Sequence, residues 1–325
     1  MNKILVTGGA GYIGSHTVKM LAERGFSVVV LDNLSEGHRE ALGDVELIRG
    51  DVGDNALLED LFSRHSFSAV MYFAARCYVG ESIEKPELYY RNNVLNFLIF
   101  MEALLRHGIR LMVFSSTAAV YGIPVQVPIV ESQAKAPINP YGLTKAVDEN
   151  MLEDFARAYH FRFVALRYFN AAGADSSGLI GESHHPETHL IPRVLAAANG
   201  QLQKVEVYGS DYSTSDGTCV RDYVHVNDLA EAHILALEYL TARGENLFAN
   251  LGHGCGYSVR QIVDRARTIT ARPFEVKYSE RRAGDPPSLV CDNSLARDRL
   301  HWSPRLSDLD SIIESAWNWE LKRRY

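Results

Sequence analysis

Short apolar runs alternate with longer segments of helical periodicity through the first half of this 325-residue chain. The short runs, rich in branched residues, predict strands, and apolar side chains that recur at helical spacing predict helices. The predicted strands are Lys3–Val6, Val28–Leu31, Val45–Gly50, Ala69–Phe73, Leu111–Ser116 and Phe163–Arg167. The predicted helices are one that follows the glycine-rich turn and those over Ala56–His65, Pro86–His107 and Leu143–Tyr159. This alternation is typical of an α/β fold, a doubly wound parallel sheet of the Rossmann type.

The pattern becomes less regular after about residue 175. Gly, Ser, His and Pro are frequent from Asp175 to Pro192, and shorter strand and helix patterns follow. We therefore expect a Rossmann domain over residues 1–175 and a smaller C-terminal α/β substrate lobe over 176–325. Some segments of that lobe are expected to return to the main domain. Ligands of such folds bind beyond the carboxyl ends of the strands.

A glycine-rich turn, Thr7–Gly14, lies between the first predicted strand and the first predicted helix. Its glycines allow a tight turn and close approach of the backbone to a pyrophosphate, for which the helix N-terminus supplies N–H groups. Two registers of the motif fit equally well, Gly9/Gly11/Gly14 and Gly8/Gly11/Gly14. Asp32 ends the second strand, where its carboxylate can accept from a ribose 2′-OH and would repel a 2′-phosphate. The pattern therefore favours NAD over NADP.

Tyr141 and Lys145 lie four positions apart at the start of a predicted helix and so share one face. A lysine ammonium near a phenol lowers the pKa of the tyrosine, which can then act as a general base. An exposed helical pair is the alternative, but the position after the fifth strand favours a catalytic role. Thr117 at the end of that strand is the first candidate to bind the reacting hydroxyl, ahead of Ser116. A simple strand-end turn would suit both residues equally well.

The charge and hydropathy of the chain limit the classes of partner that we expect. A formal net charge of −7 argues against general nucleic-acid binding. Apolar runs stay well short of the ~20 residues that a membrane helix needs. The first strand begins at the N-terminus and leaves no room for a signal peptide. We therefore expect a cytoplasmic protein without nucleic-acid or membrane partners.

The sequence predicts no metal site. Its four cysteines are widely spaced and resemble reduced thiols: Cys77, Cys219, Cys255 and Cys291. Three histidines, His184, His185 and His189, share one loop, but no cysteine lies beside them and their spacing is not that of a regular ligand set.

Motifs along nearly the whole chain resemble those of the extended short-chain dehydrogenase/reductase family, in particular its UDP-sugar 4-epimerases. They are Val6–Ser15, Leu31–Leu34, Gly50–Val52, Val79–Ser82, Tyr89–Asn93, Ser116–Gly122, Pro140–Lys145, Arg167–Asn170, Asp216–Val226 and Arg281–Asp285. The resemblance implies an isomerase that interconverts UDP-glucose and UDP-galactose with bound NAD. Oxidation at sugar C4 would give a 4-keto intermediate, and hydride would return to its opposite face.

The same resemblance implies the site residues. Thr117 would bind the 4-oxygen, Tyr141 would take the proton, and Lys145 would hold the nicotinamide ribose. The cofactor would contact Gly8, Gly11, Tyr12, Ile13, Gly14, Asp32, Asn33, Asp51, Val52, Phe73, Ala74, Ala75, Asn92, Ser115, Tyr141, Lys145 and Tyr168. The substrate would contact Thr117, Asn170, His189, Leu190, Glu206, Tyr208, Arg221, Tyr223, Arg282, Asp285 and Leu289. Arg221 and Arg282 would bind the diphosphate, which suits guanidinium groups.

Ala118 and Ala119 follow Thr117 where related dehydratases and decarboxylases carry acids. Methyl groups cannot transfer protons, so epimerisation is the expected reaction. Leu289 borders the expected sugar site and is intermediate in bulk between the small residues and the Tyr found there in relatives. It leaves acceptance of UDP-N-acetylglucosamine and UDP-N-acetylgalactosamine open, and ordinary apolar packing is the alternative role.

The sequence leaves two alternatives to the expected function. The main alternative substrates are UDP-pentoses and UDP-uronates, acted on by a 4-epimerase of the same fold. A catalytically idle NAD-sensing protein is a second alternative, against which the intact Thr117, Tyr141 and Lys145 argue.

The resemblance also implies a homodimer formed through the helices Pro86–His107 and Leu143–Tyr159, although their apolar faces could be buried wholly within one chain.

Overall fold

The computed structural model describes residues 3–282 and 285–325. Ala283 and Gly284 of the motif Arg281–Asp285 lie outside the described residues. The strands are β1 (Lys3–Thr7), β2 (Ser27–Asp32), β3 (Glu46–Arg49), β4 (Ala69–Tyr72), β5 (Leu111–Thr117), β6 (Arg162–Tyr168), β7 (Asn170–Ala172), β8 (Lys204–Tyr208), β9 (Val220–His225), β10 (Leu247–Leu251), β11 (Gly256–Ser258), β12 (Glu275–Ser279) and β13 (Ser288–Leu289). The α-helices are α1 (Tyr12–Glu23), α2 (Asn55–Arg64), α3 (Val79–Glu84), α4 (Pro86–Tyr89), α5 (Asn96–Arg106), α6 (Pro140–Tyr159), α7 (Leu190–Ala198), α8 (Val226–Arg243), α9 (Val259–Thr270), α10 (Ser294–Leu300) and α11 (Leu309–Lys322).

Seven strands form one parallel sheet in the order β10-β6-β5-β4-β1-β2-β3. All six strands predicted from the apolar runs belong to it, so the doubly wound parallel sheet is confirmed. The seventh strand, β10, comes from the part of the chain assigned to the C-terminal lobe, and its residues pair with Val164–Tyr168 of β6. The division at residue 175 stays a prediction.

Helices cover both faces of this sheet. On one face α1 and α8 pack together, and Val18 and Leu229 share a core with Val6 of β1. On the other face α2, α5 and α6 bury Phe97, Phe100 and other apolar side chains against alternate strand residues. Burial on both faces explains why the strands are almost continuously apolar.

The remaining strands and helices build a second, smaller layer. In this layer β7, β11 and β13 all pair with β9, and β8 pairs with β12. The helices α7, α9 and α11 surround one apolar core that contains Ile191, Val263 and Ile312. Because β7 directly follows β6, its pairing with β9 brings residues from distant parts of the chain next to the carboxyl end of β6.

Two helices differ from their predicted extents. The predicted helix Pro86–His107 consists of α4, a π-helical segment Tyr90–Leu95 and α5. The helix α6 begins at Pro140, where Asn139 caps it by accepting a hydrogen bond from the Gly142 N–H at 2.8 Å. Tyr141 therefore stands in the first turn of α6. None of the described helices combines the length and apolar character needed to cross a membrane.

Candidate functional site

The glycine-rich turn distinguishes between the two registers left open by the sequence. Gly8 has φ +67°, and a Cβ there would lie 2.6 Å from the Ala74 nitrogen. A Cβ at Gly14 would lie 2.3 Å from the Gly8 oxygen, so β1, the end of β4 and α1 meet at these glycines. A Cβ at Gly11 would make only an ordinary contact of 3.4 Å with the protein. The structure favours Gly8/Gly11/Gly14, in which Gly11 leaves the helix N-terminus open to a pyrophosphate.

The end of β2 is fixed by the Asp32 carboxylate. It accepts hydrogen bonds from the Ala10 N–H at 2.9 Å and the Leu34 N–H at 2.8 Å, and burial raises the pKa of Asp32. The next residue, Asn33, donates to Asp51 at 3.0 Å. The predicted cofactor contacts Asp32, Asn33 and Asp51 are thus adjacent at the edge of the sheet where β2 and β3 end. An adenosine ribose and base would bind at such an edge.

Tyr141, Lys145 and Thr117 meet where β5 ends beside α6. Lys145 is buried, with Nζ 4.1 Å from the centre of the Phe114 ring and without a hydrogen bond among the described residues. Burial raises the pKa of Tyr141, and the Thr117 hydroxyl opposes that rise. The sequence predicted that Lys145 would lower the pKa of Tyr141. In the structure this pKa is raised instead, because burial of the phenol outweighs the effects that lower it.

Ser116 is held away from the reacting position. Its hydroxyl donates to the Glu149 carboxylate at 2.7 Å, and Arg167 donates to the same carboxylate through Nε at 2.8 Å and Nη2 at 2.7 Å. All three side chains are buried. The structure therefore favours Thr117 over Ser116. The sequence analysis missed Glu149, although it lies four residues after Lys145 on the same helix.

The cofactor side of the site is bound together by polar contacts between β5, β6 and the segment after β4. The Ser115 hydroxyl is hydrogen-bonded to the Tyr168 hydroxyl. The buried Asn93 donates to the Arg76 carbonyl and to Thr144, each at 3.0 Å, and accepts from Asn92. Asn93 was not predicted; its neighbour Asn92 was. Its contacts fix the segment that begins with the predicted Phe73, Ala74 and Ala75.

Five predicted substrate contacts form one chain of interactions. Arg282 Nε donates to Asp285 at 2.9 Å, and Arg221 Nη2 lies 3.6 Å from the other oxygen of Asp285. The Arg282 guanidinium stands 5.0 Å from the centre of the Tyr208 ring, and the Tyr208 hydroxyl donates to Glu206 at 3.0 Å. Two guanidinium groups and an aromatic face, brought together from β8, β9 and the segment before β13, suit a nucleoside diphosphate.

The central strand β9 aligns three further predicted contacts. Asn170 lies opposite Tyr223, and Leu289 lies opposite Arg221. Burial raises the pKa of Tyr223 to about 12. Leu289 and Ala118 both pack against the apolar cluster that includes Tyr121 and Phe169. Leu289 therefore lies close to the carboxyl end of β5, where Thr117 stands.

The predicted substrate contact His189 lies between two carboxylates. It immediately precedes Leu190, the first residue of α7, and its Nδ1 lies 2.8 Å from Glu182 and 2.9 Å from Glu187. Burial lowers the pKa of the neighbouring His184, but contacts with the same two carboxylates outweigh it and raise the pKa to about 9. The structure supplies two acids that the sequence analysis did not consider, and a diphosphate contact by His189 stays a prediction.

Comparison with known proteins identifies the family to which the chain is similar. The sequence profile of the NAD dependent epimerase/dehydratase family matches residues 4–252. A curated UDP-glucose 4-epimerase of Halalkalibacterium halodurans is 50% identical over 316 residues, 97% of this chain and 95% of the relative. The crystal structure of UDP-glucose 4-epimerase from Brucella ovis in complex with NAD has a TM-score of 0.95, 51% identity and 98% coverage of both chains. That of the Bifidobacterium longum enzyme in complex with NAD⁺ and UDP has a TM-score of 0.94, 37% identity and 99% coverage of both chains.

Proposed function

The chain belongs to the NAD dependent epimerase/dehydratase family, and we propose that it interconverts UDP-glucose and UDP-galactose as an NAD-dependent 4-epimerase. The placement of three groups carries the proposal. Tyr141 and Lys145 project from the first turns of α6 beside Thr117, at the carboxyl end of β5. Since Ala118 and Ala119 follow Thr117, no acid or base is available there for elimination or decarboxylation.

The residues around the glycine-rich turn fit NAD. Gly11 leaves room beside the α1 N-terminus for a pyrophosphate, Asp32 is placed for a ribose 2′-OH, and the buried Lys145 Nζ is available for the nicotinamide ribose. The chemistry supplied by bound NAD⁺ is reversible acceptance of the C4 hydride, together with a positive ring charge that favours the Tyr141 phenolate. The cofactor is regenerated in each cycle, so the overall reaction involves no net oxidation.

The protein residues handle the proton and the position of the sugar. The Tyr141 phenolate takes the proton of the sugar 4-hydroxyl and later returns it to the 4-oxygen. The Thr117 hydroxyl donates a hydrogen bond to that oxygen. The Lys145 ammonium stabilises the phenolate by its charge, as nearby charges of opposite sign do.

The second layer would hold the UDP group. Arg221 and Arg282 would form charge-assisted hydrogen bonds with the two phosphates. Tyr208 and Glu206 on β8 would lie along the uracil, and Asp285 would accept from the ribose. Arg221 is already well fixed, because its Nη1 donates to the Val220 and Pro286 carbonyls, both at 2.9 Å.

We further propose a cytoplasmic homodimer. Apolar residues are exposed on the two long helical regions: Tyr90 at 42%, Leu95 at 44%, Leu143 at 40% and Tyr159 at 51%. Pairing of these regions between two copies would bury side chains that a monomer leaves in water. Sedimentation at micromolar concentration should give a dimer, and only monomer there would refute this part of the proposal.

The activity is tested by incubating the purified protein with UDP-galactose, without added NAD, and following the sugars by proton NMR. Appearance of UDP-glucose up to an equilibrium mixture is expected, and it would also establish that cofactor is retained through purification. No conversion, even with NAD supplied, would contradict the proposal. UDP-pentoses and UDP-uronates would then be the substrates to try.

A further inference from the structure

Four side chains from one loop converge in front of α7. Their potential ligand atoms, from Glu182, His184, Glu187 and His189, all lie within 4.8 Å of one another. His189 Nδ1 is 2.8 Å from Glu182 Oε1 and 2.9 Å from Glu187 Oε1. His184 Nδ1 is 3.3 Å from Glu182 Oε1 and 3.5 Å from Glu187 Oε2. We call these residues the Glu–His cluster. The proposed epimerisation does not use Glu182, His184 or Glu187.

These spacings are close to those of a tetrahedral metal site. With metal–ligand bonds of 2.0–2.2 Å, two ligand atoms of a tetrahedral zinc centre lie roughly 3.3–3.6 Å apart. The separations of His184 Nδ1 from the two carboxylates, 3.3 and 3.5 Å, fall in that range, and those of His189 Nδ1, 2.8 and 2.9 Å, are shorter. A small outward movement of the His189 ring away from the two carboxylates would complete the arrangement.

The cluster is built into the fold. The side chains of Glu182, His184 and Glu187 are 8%, 12% and 19% exposed, while that of His189 is 45% exposed and leaves one side accessible. The His184 ring is fixed by edge-on contacts with Tyr12 and Tyr78, at ring-centre distances of 6.4 and 5.8 Å. Three ligands are therefore held in a protected place, and an ion can enter past the fourth.

The mixture of ligands selects the kind of ion. Magnesium and calcium prefer sites made entirely of oxygen atoms, whereas imidazole nitrogens favour zinc and its neighbours. Two imidazoles and two carboxylates offer four ligand atoms, the number of a tetrahedral centre, and both are ligand types that zinc accepts. We propose that the Glu–His cluster binds one divalent transition-metal ion of the zinc type.

The expectation of no metal site rested on His184, His185 and His189, which lack a neighbouring cysteine and a regular ligand spacing. The structure leaves His185 exposed and outside the cluster, and replaces it with Glu182 and Glu187. A bound ion would fix the loop that leads into α7 against Tyr12, the first residue of α1 after the glycine-rich turn. Its main effect is therefore expected on stability.

The test is direct metal binding by the full-length protein. After treatment with a chelator, the protein is dialysed against limiting Zn²⁺ and its metal content is measured by mass spectrometry. Wild type should retain about one ion per chain, and Co²⁺ in place of Zn²⁺ should give the intense visible absorption of a tetrahedral centre. Glu182→Gln and His184→Gln should each lose the bound ion and the absorption. His185→Gln, the matched control, should keep both.

Thermal unfolding gives a second readout that does not depend on activity. Zn²⁺ should raise the Tm of wild type and of His185→Gln, because a ligand that binds only the folded state stabilises it, and should leave the two cluster variants unchanged. Substoichiometric zinc in wild type, or equal retention by all four proteins, would overturn the proposal. The absence of tetrahedral Co²⁺ absorption in wild type would overturn it even if the cluster variants failed to fold. The cluster would then be a set of ion pairs only.

Discussion

Lys145 and Asp148 stand one helical turn apart in α6, with Lys145 Nζ 3.8 Å from Asp148 Oδ2. The two side chains are 2% and 1% exposed, and neither makes a hydrogen bond among the described residues. Burial raises the pKa of Asp148 well above its ordinary value, although the Lys145 charge opposes the rise. Burial also lowers the pKa of Lys145. An acid that is costly to ionise thus lies directly beside the proposed catalytic lysine.

Asp148→Asn should stabilise the protein at neutral pH. Because the carboxyl pKa is higher in the folded than in the unfolded state, the folded state binds more protons between those two values. Stability is therefore lost as pH rises through that window, and Asn removes the loss. We expect a gain in unfolding free energy at pH 7 and a smaller one at pH 4, measured by urea denaturation.

Asp175 offers a matched control, for which the expected change in stability has the opposite sign. Although burial acts to raise it, hydrogen bonds from Ser177 and an ion pair with Lys19 lower the pKa of Asp175. Its contribution to stability is present at neutral pH and lost in acid, so Asp175→Asn should destabilise the protein at pH 7. An Asp148→Asn variant that was no more stable than wild type at pH 7 would contradict this interpretation of the buried carboxyl.

The buried pair Glu149–Arg167 should be far more sensitive to mutation than a surface pair. Arg167→Met leaves the Glu149 carboxylate buried, with Ser116 and Lys135 as its remaining polar partners among the described residues, at 2.7 and 3.3 Å. Loss of one partner of a buried ion pair costs ~3–5 kcal/mol. Denaturant unfolding of the variant should show a loss of that size.

The control for this prediction is Arg106→Met, which removes an exposed pair with Glu59. Exposed pairs contribute ~0–1 kcal/mol. Equal losses in the two variants would mean that the end of β5 does not depend on the Arg167 contact. The two measurements together separate the effect of burial from the effect of charge.

Leu289 should set the preference between plain and N-acetylated sugars. It packs against the same apolar cluster as Ala118 and lies opposite Arg221 in the β9–β13 pair, so its bulk would border the proposed sugar position. The ratio of kcat/KM for UDP-N-acetylgalactosamine to that for UDP-galactose should fall in the order Leu289→Ser, wild type, Leu289→Tyr. We expect a change of roughly tenfold or more between the two variants, as differential pocket contacts produce. If these substitutions left the ratio unchanged, Leu289 would have no role in sugar preference and would only contribute to apolar packing.

Much of the fold could be predicted because the information is local. Buried parallel strands are nearly continuous apolar runs, so the six strands from β1 to β6 were visible in the sequence. The pairing of β10 with β6 was not, because no local pattern tells a strand which distant partner it will meet. The π-helical segment Tyr90–Leu95 likewise has the apolar periodicity of an ordinary helix.

The candidate site likewise contains residues that local sequence predicts and contacts that it does not. Tyr141 and Lys145 could be predicted from their spacing, because both lie on one helix. The contacts of Glu149 with Ser116 and Arg167 join three separate elements, and the buried Asp148 has the same residue type as any solvent-exposed helical acid. The direction of the Tyr141 pKa depends on burial, which only the three-dimensional structure supplies.

The most direct test of the central claim is the rate of UDP-galactose conversion by Tyr141→Phe, with Tyr159→Phe as the control. Both residues lie on α6, but Tyr159 is at its far end, and Phe keeps the exposed ring that the proposed dimer would bury. Removal of a general base should lower kcat by about 10²–10⁴-fold, with bound NAD retained. The control should match wild type. Wild-type activity in a Tyr141→Phe protein that still holds NAD would contradict the account.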